Sequence, residues 1–228
     1  MMWICLLMLL SQAVWAVDPV VVIEKVSHNS RDKARIIKGG HAFKTQCLTC
    51  HALSYWRYDE VATSVGITQE MMPMWPKDAW GGHPPPDLSL IALEIGVDKL
   101  YTYLTGYVED LSRPTGANNL VYPNTSMPNV LGHLQGKVYL KPGMDLAYLM
   151  MHPKKHWYQV VDFGPAGQMS HEEFDEYITD IVHFLSYVAD PSIHERQQIG
   201  PYVVVYLIIA IFLASYWFSL EKQQKPTH

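Results

Sequence analysis

Cys47, Cys50 and His51 stand together in the stretch TQCLTCHALSYWRY, two thiols separated by two residues with an imidazole directly behind the second. Thiols at this spacing could close a disulfide, work as a thioredoxin-like redox pair, hold half of a tetrahedral zinc site, or attach haem. A redox pair is expected near the start of a helix in a βαβ setting, and the flanking sequence reads as helix and loop with little strand pattern. Zinc needs two further ligands, and no histidine pair follows within the short distance of a zinc finger. Cys-x-x-Cys-His is the attachment pattern of c-type haem, in which each thiol adds across one vinyl group and the next residue becomes the proximal ligand of the iron. The neighbours therefore favour one covalent haem c on Cys47 and Cys50, with His51 as an iron ligand.

Such an iron takes a sixth ligand, and a thioether opposite imidazole raises its potential. Met71, Met72, Met74, Met144, Met150, Met151 and Met169 are read as apolar fillers, and His133 is a further alternative. Met127, in NTSMPNVL, stands in a long loop ahead of the C-terminal helix, with Pro128 stiffening the chain behind it. The distal methionine of small cytochromes c comes from a loop in this position, which makes Met127 the expected ligand.

The elements that must position these residues are mainly helical. SHNSRDKARIIKGGHAFKTQ reads as a helix beginning near Asn29 or Ser30, with Ala34, Ile37 and His41 on one face, leading straight into the cysteines. Residues 66–87 carry Gly66, Pro73, Pro76, Gly81, Gly82 and Pro84 to Pro86, a breaker density that reads as an irregular loop. LSLIALEIGVDKLYTYLTGY offers two helical stretches around Gly96, and RPTGANNLVYPNTSMPNVLGHLQGKVYLKPG reads as a further long loop. Ser170 with Glu173 makes a capping box, followed at helical spacing by Phe174, Tyr177, Ile178, Ile181, Phe184, Leu185 and Val188, with a stop near Asp190.

Two apolar segments bound the domain. Residues 1–16 read as a signal peptide, with Val14 and Ala16 placed for cleavage before Val17, although no Lys or Arg stands near the start. Cys5 would leave with it, so the haem consumes both remaining cysteines. Residues 197–220 carry no charge and match the roughly 20 residues a helix needs to cross a membrane. Pro201 suits the first helical turn, Tyr202, Tyr216 and Trp217 fit the interfacial belts, and Lys222 and Lys225 place the tail, residues 221–228, in the cytoplasm. Residues 17–196 are then the exported domain. A net charge of -5 without long runs of like charge excludes nucleic acid as a partner. There is no Gly-rich phosphate loop, HExxH or GxSxG.

The stretches CLTCHALSYWRY, PPPDLSLI, LYTYLTGY and RPTGANNLVYPNTSMPNVLGHLQG, with the single C-terminal apolar helix, resemble the cytochrome c1 family in its proteobacterial form. The resemblance implies a cytochrome c-like, mainly α haem domain in the periplasm, on one anchor in the inner membrane. It implies Cys47 and Cys50 as haem carriers, His51 as proximal and Met127 as distal ligand, and the carbonyl of Pro85 or Pro86 as acceptor for the His51 ring N–H. It also implies a dimeric bc1 complex with cytochrome b, in which electrons pass from the Rieske iron–sulfur protein to cytochrome c. Asp59, Glu60, Glu109 and Asp110 are candidate contacts for that basic acceptor. Enzyme status comes from the quinol:cytochrome c oxidoreductase as a whole, since this chain needs no acid, base or nucleophile. One departure stands out. Relatives carry arginine shortly after PPDLS, facing a haem propionate, where this chain has Leu93, Glu94 and Ile95; Arg57, Lys99, Arg113 or a tyrosine are the candidate substitutes. The stretch QEMMPMWPKDAWGG matches no pattern of the family. The rival readings are a freestanding membrane-anchored cytochrome c shuttle, and a haem catalyst or gas sensor with an open sixth site.

Overall fold

The computed structural model describes residues 19–27, 32–56, 59–152 and 154–224. The signal segment, Asn29, Ser30, Arg57 and Lys225 lie outside them. The chain is mainly α, in the order α1 (Lys33–Gln46), α2 (Glu60–Val65), a 3₁₀ turn (Gln69–Met71), α3 (Ala79–Gly82), α4 (Ile91–Glu94), α5 (Val97–Thr105), β1 (Tyr107–Glu109), β2 (Ala117–Asn119), α6 (Gly132–Gln135), β3 (Gly136–Leu140), α7 (Leu146–Met151), α8 (Trp157–Val160), β4 (Val161–Ala166), α9 (His171–Ala189) and α10 (Ile193–Gln224). It divides into two compact units. Of the described residues, one holds those from Pro19 to Val26, Trp75–Pro85 and those from Ile95 to Thr179; the other holds those from Ser27 to Met74, Pro86–Glu94 and those from Asp180 onward.

In the unit that carries the cysteines, α1 begins at Lys33 because the Asp32 carboxylate accepts the Arg35 N–H and satisfies an otherwise unpaired donor of the first turn. Its buried face is Ile36, Gly39, Gly40, Ala42 and Phe43, which corrects the expected face: Ala34 and His41 point to solvent. The periodicity missed it because the closest contact is made by two glycines. A Cβ on Gly39 would land on the Asp180 carbonyl, and one on Gly40 on Val65 Cγ2, so the two glycines let the backbone of α9 approach. Phe184 of α9 fills the resulting space against Phe43 and Trp56, with ring centroids 5.4 and 5.2 Å away. Asp59 caps the N-terminus of α2 and bonds Tyr187, and Lys44 Nζ donates to the Gly66 carbonyl at 2.6 Å beyond its C-terminus. Two carboxylates and one ammonium thus serve helix ends in this unit.

The other unit is built around Val20, Val21, Val108, Leu120, Val138, Leu149, Val160 and Val161, with Met144 packed at its edge. Full burial of such a side chain is worth about 1.5–3 kcal/mol. Two antiparallel hairpins frame it: β1 pairs with β2, Val108 opposite Asn118, and β3 with β4, Leu140 opposite Val161. β2, β3 and α6 correct the expectation of a thirty-residue loop. β3 reads polar-in-polar about Val138 only over five residues, too short to stand out from its glycine- and proline-rich surroundings. The N-terminal segment is stitched on by Val20 N–H to the Leu120 carbonyl at 3.1 Å and Glu24 N–H to Thr102 Oγ1 at 2.9 Å. α5 starts after Gly96, whose φ of 81° needs a residue without Cβ, so the break expected at Gly96 is present.

Between Gln69 and Pro86 the chain is irregular, as the breakers require. α3 is helical only in its hydrogen bonding, since Trp80 and Gly81 are left-handed. α9 opens on the expected capping box, Ser170 N–H to Glu173 Oε2 at 2.8 Å and Glu173 N–H to Ser170 Oγ at 3.2 Å, and ends at Ala189. Within α10, residues Glu195–Leu220 have a mean hydropathy of 2.3 and no buried share. A helix so long, apolar and uncovered has the length and composition to cross a membrane. Pro201 sits inside it, nine residues into the helix rather than in its first turn as expected, because α10 starts upstream in Ile193–Gln197, a polar lead-in whose Arg196 pairs with Asp190.

Candidate haem site

The attachment residues form one tight turn at the end of α1. The Cys47 carbonyl accepts both the Cys50 N–H at 3.0 Å and the His51 N–H at 2.9 Å, and no disulfide joins the two cysteines. Burial, reinforced by the neighbouring Cys50, pushes the Cys47 thiol up to about 12, so the position favours an uncharged sulfur. His51 Nδ1 lies 2.8 Å from the Pro86 carbonyl. A carbonyl only accepts, so Nδ1 carries the proton and the lone pair of the neutral ring is on Nε2. Burial lowers the His51 pKa against opposing contributions from the Pro86 hydrogen bond and the Asp87 charge, which favours that neutral form. Two separate thiols and a neutral imidazole with Nε2 available are the donor set of a c-type haem, and the residues fit the group.

Sequence reasoning named PPPDLSLI without seeing what its polar residues do. Asp87 accepts from Ser54 N–H at 2.7 Å, Ser54 Oγ at 2.6 Å and Ser89 N–H at 2.8 Å. Leu88 N–H reaches the Ala52 carbonyl at 2.9 Å, and Ser89 Oγ accepts the Tyr55 N–H at 3.0 Å. This ladder ties residues 87–89 to residues 52–55, directly behind His51, and so fixes the Pro86 carbonyl. Burial raises the Asp87 pKa, but the hydrogen bonds from Ser54 and Ser89 together outweigh it and leave the carboxyl below its ordinary range. Met72, unexplained from sequence, accepts the Leu53 N–H on its sulfur at 3.2 Å. It is a prop for the segment behind His51 as well as an apolar filler.

Met127 and Pro85 belong to the other unit. Met127 is half-buried, in a loop held almost wholly by side chains. Asn118 Oδ1 accepts the Asn119 and Asn124 N–H groups at 2.9 and 2.8 Å. Asn119 Oδ1 accepts from Val121 and Tyr122 N–H at 2.8 and 3.2 Å, and its amide donates to the Tyr103 carbonyl at 2.8 Å. Arg113 donates to the Asn124 side chain at 3.3 Å and carbonyl at 3.1 Å, and Tyr107 donates to the Met127 carbonyl at 3.1 Å. The Ala-Asn-Asn run was the available signal: buried asparagines between strand residues must satisfy four hydrogen-bonding sites each. Of the alternative ligands, Met144 packs on the valine core, Met71, Met74, Met150 and Met151 are exposed, and His133 is exposed with Nδ1 at 3.1 Å from the Val130 carbonyl.

Lys99 lies over the Tyr122 ring, 4.5 Å from its centroid. The acidic candidates for partner contact all have internal partners: Asp59 with Tyr187, Glu60 with Lys33, Glu109 with Lys137 at 3.4 Å, and Asp110 with Ser112 and Asn118.

The family model described as the Cytochrome C1 family matches residues 75–224. Cytochrome c1 of Allochromatium vinosum is 32% identical over 222 residues, covering 88% of this chain and 87% of that protein. A protein of Nitrosomonas europaea named ammonia monooxygenase gamma subunit is 30% identical over 205 residues, covering 82% of each. A family match that runs from Trp75 through the anchor, joined to a relative aligned over most of the chain, is sufficient: this chain belongs to the cytochrome c1 family, and with it to the membrane-anchored haem proteins that carry electrons in bc1-type oxidoreductases.

Proposed function

We propose that the chain carries one covalent haem on Cys47 and Cys50, ligated by His51 and Met127, and passes electrons from the Rieske iron–sulfur protein to a cytochrome c within a dimeric bc1 complex containing cytochrome b. The observation that carries this is the His51 tautomer: with Nδ1–H committed to the Pro86 carbonyl, Nε2 is the coordinating nitrogen, next to two thiols at attachment spacing. When bound, the group supplies a one-electron couple whose potential the axial ligands set. The residues of the chain do the rest. The turn at Cys47–His51 fixes the point of attachment, the Asp87 ladder keeps the imidazole ring from rotating, and burial keeps it neutral. Residues 1–16 act as the signal peptide and 17–196 as the periplasmic domain. Residues 197–220 are held in inner-membrane lipid, with Lys222 and Lys225 drawing 221–228 to the cytoplasmic side.

The test is isolation of the full-length protein from membranes. Haem should stay on the denatured chain, and cytochrome b and the Rieske protein should co-purify. Adding quinol should reduce the haem, and an inhibitor of Rieske-side quinol oxidation should block that reduction. A denatured chain without haem would overturn the reading. The likeness to the ammonia monooxygenase gamma subunit supports a second one, in which the same haem domain serves a monooxygenase assembly. Oxygenase subunits in place of cytochrome b and the Rieske protein would decide for it.

A further inference from the structure

We propose that Tyr107 and Tyr103 are positioning residues for the Met127 thioether, acting through a directed chain of hydroxyls that latches the methionine backbone; this rests on the reading of Met127 as sixth ligand. The direction follows from which atoms can donate. A carbonyl only accepts, so the Tyr107 hydroxyl gives its one hydrogen to the Met127 carbonyl, 3.1 Å away. The 2.8 Å contact between the two phenols must then be donated by Tyr103 to Tyr107. With the Tyr103 hydrogen used, Thr125 Oγ1 is the donor in its 3.1 Å contact with Tyr103. The chain therefore leaves the loop at Thr125, crosses the half-buried Tyr103 and the buried Tyr107, and returns to the loop two residues later at Met127.

The anchors of this latch are rigid. Tyr107 is 2% exposed and sits in β1 opposite Asn119, and its ring meets Tyr103 edge-on at 5.6 Å. Tyr103 projects from α5, so one hydroxyl is placed by a strand and the other by a helix. Burial raises the pKa of both phenols, which stay protonated and able to donate. Arg113 grips the opposite side of the same loop at Asn124, whose φ of 65° turns the chain toward Met127. A thioether is a weak, neutral donor that cannot hold a wandering loop. Bonding the carbonyl of the ligand residue itself fixes its backbone and leaves only the side-chain rotamers to set the sulfur.

The test uses the full-length, haem-loaded protein. Tyr107→Phe should retain covalent haem, yet its reduced form should take up carbon monoxide about fivefold faster than the parent, one net hydrogen bond being worth about that factor in the opening equilibrium of the sulfur. Its ferric sulfur-to-iron charge-transfer band should bleach at lower temperature. Thr125→Val, which breaks the chain at its outer end and leaves the core rings untouched, should shift both readouts in the same direction by less. A merely structural role would lower the melting temperature and leave carbon monoxide uptake, read far below melting, at the parental rate. That result, with Met127→Leu losing the band, would overturn the latch alone. A Met127→Leu variant that keeps the sulfur band would overturn the ligand reading and the latch with it.

Discussion

The segments around His51 and Met127 are held by opposite means. His51 follows the two cysteines directly, its backbone is fixed by a turn closed on Cys47, and its ring is set by a carbonyl thirty-five residues away that a carboxylate, Asp87, keeps in place. Met127 has no covalent neighbour of that kind. Its loop hangs on neutral side chains, two asparagines and two tyrosines, with one arginine at the rim. With haem attached as proposed, the first arrangement would tolerate loss of a hydrogen bond because the two thioethers supply the constraint. The second is only as firm as its network, so distal-side changes should alter ligation, and proximal-side changes should alter either attachment or little at all.

The largest expected effect is on the proximal side. Cys50→Ser leaves at most one thioether, and haem staining of the denatured chain should fall sharply, whereas Cys5→Ser should leave it unchanged. Undiminished staining in the Cys50 variant would break the comparison at its base. Next comes Met127→Leu, which should keep covalent haem but lower the midpoint potential by on the order of 0.1 V, within the roughly 0.8 V that axial ligands span. Potentiometric titration should find Met144→Leu and Met169→Leu at the parental value. The latch variants of Tyr107 and Thr125 follow, altering the hold on the sulfur without removing it.

Asp87→Asn should have a smaller effect, about 1 kcal/mol of stability at neutral pH, reduced because the side chain is exposed. The sign of its pH dependence is fixed by the lowered carboxyl pKa in the folded protein. Its contribution is complete above the ordinary aspartate value, near pH 4, and is lost as pH falls through the lower folded value. Denaturation followed from pH 6 to pH 2 should therefore show a steeper acid loss in the parent than in the variant. Smallest of all, cutting the chain after Arg196 should release a soluble domain with unchanged sulfur band and potential.

The cluster of Cys47, Cys50 and His51 was legible because its residues are contiguous and can be read in any fold, and the structure closes them into one turn. The anchor and the capping box of α9 were legible for the same reason, being set by composition and by contacts three residues apart. The α1 face was misread because Gly39 and Gly40 carry no hydrophobic signal even though backbone approach makes them the centre of the contact. The network about Met127 stayed hidden because its bonds join positions such as 103 and 125, or 107 and 127, whose proximity exists only after β1 and β2 pair. Short strands of three residues leave no periodicity to detect.

Pro201 has no N–H to offer the Gln197 carbonyl, so α10 lacks one rung of its ladder at the point where its polar lead-in ends. A carbonyl released in this way finds a partner in water or lipid headgroups and none in hydrocarbon. The gap in the ladder therefore favours a position at the bilayer rim. From Pro201 the helix runs through Leu220 at about 1.5 Å per residue, roughly 30 Å in all, which is the thickness of the hydrocarbon layer. The freed Gln197 carbonyl is thus most cheaply satisfied with the Pro201 end of the anchor at the bilayer rim, on the side of Asp190 and Arg196.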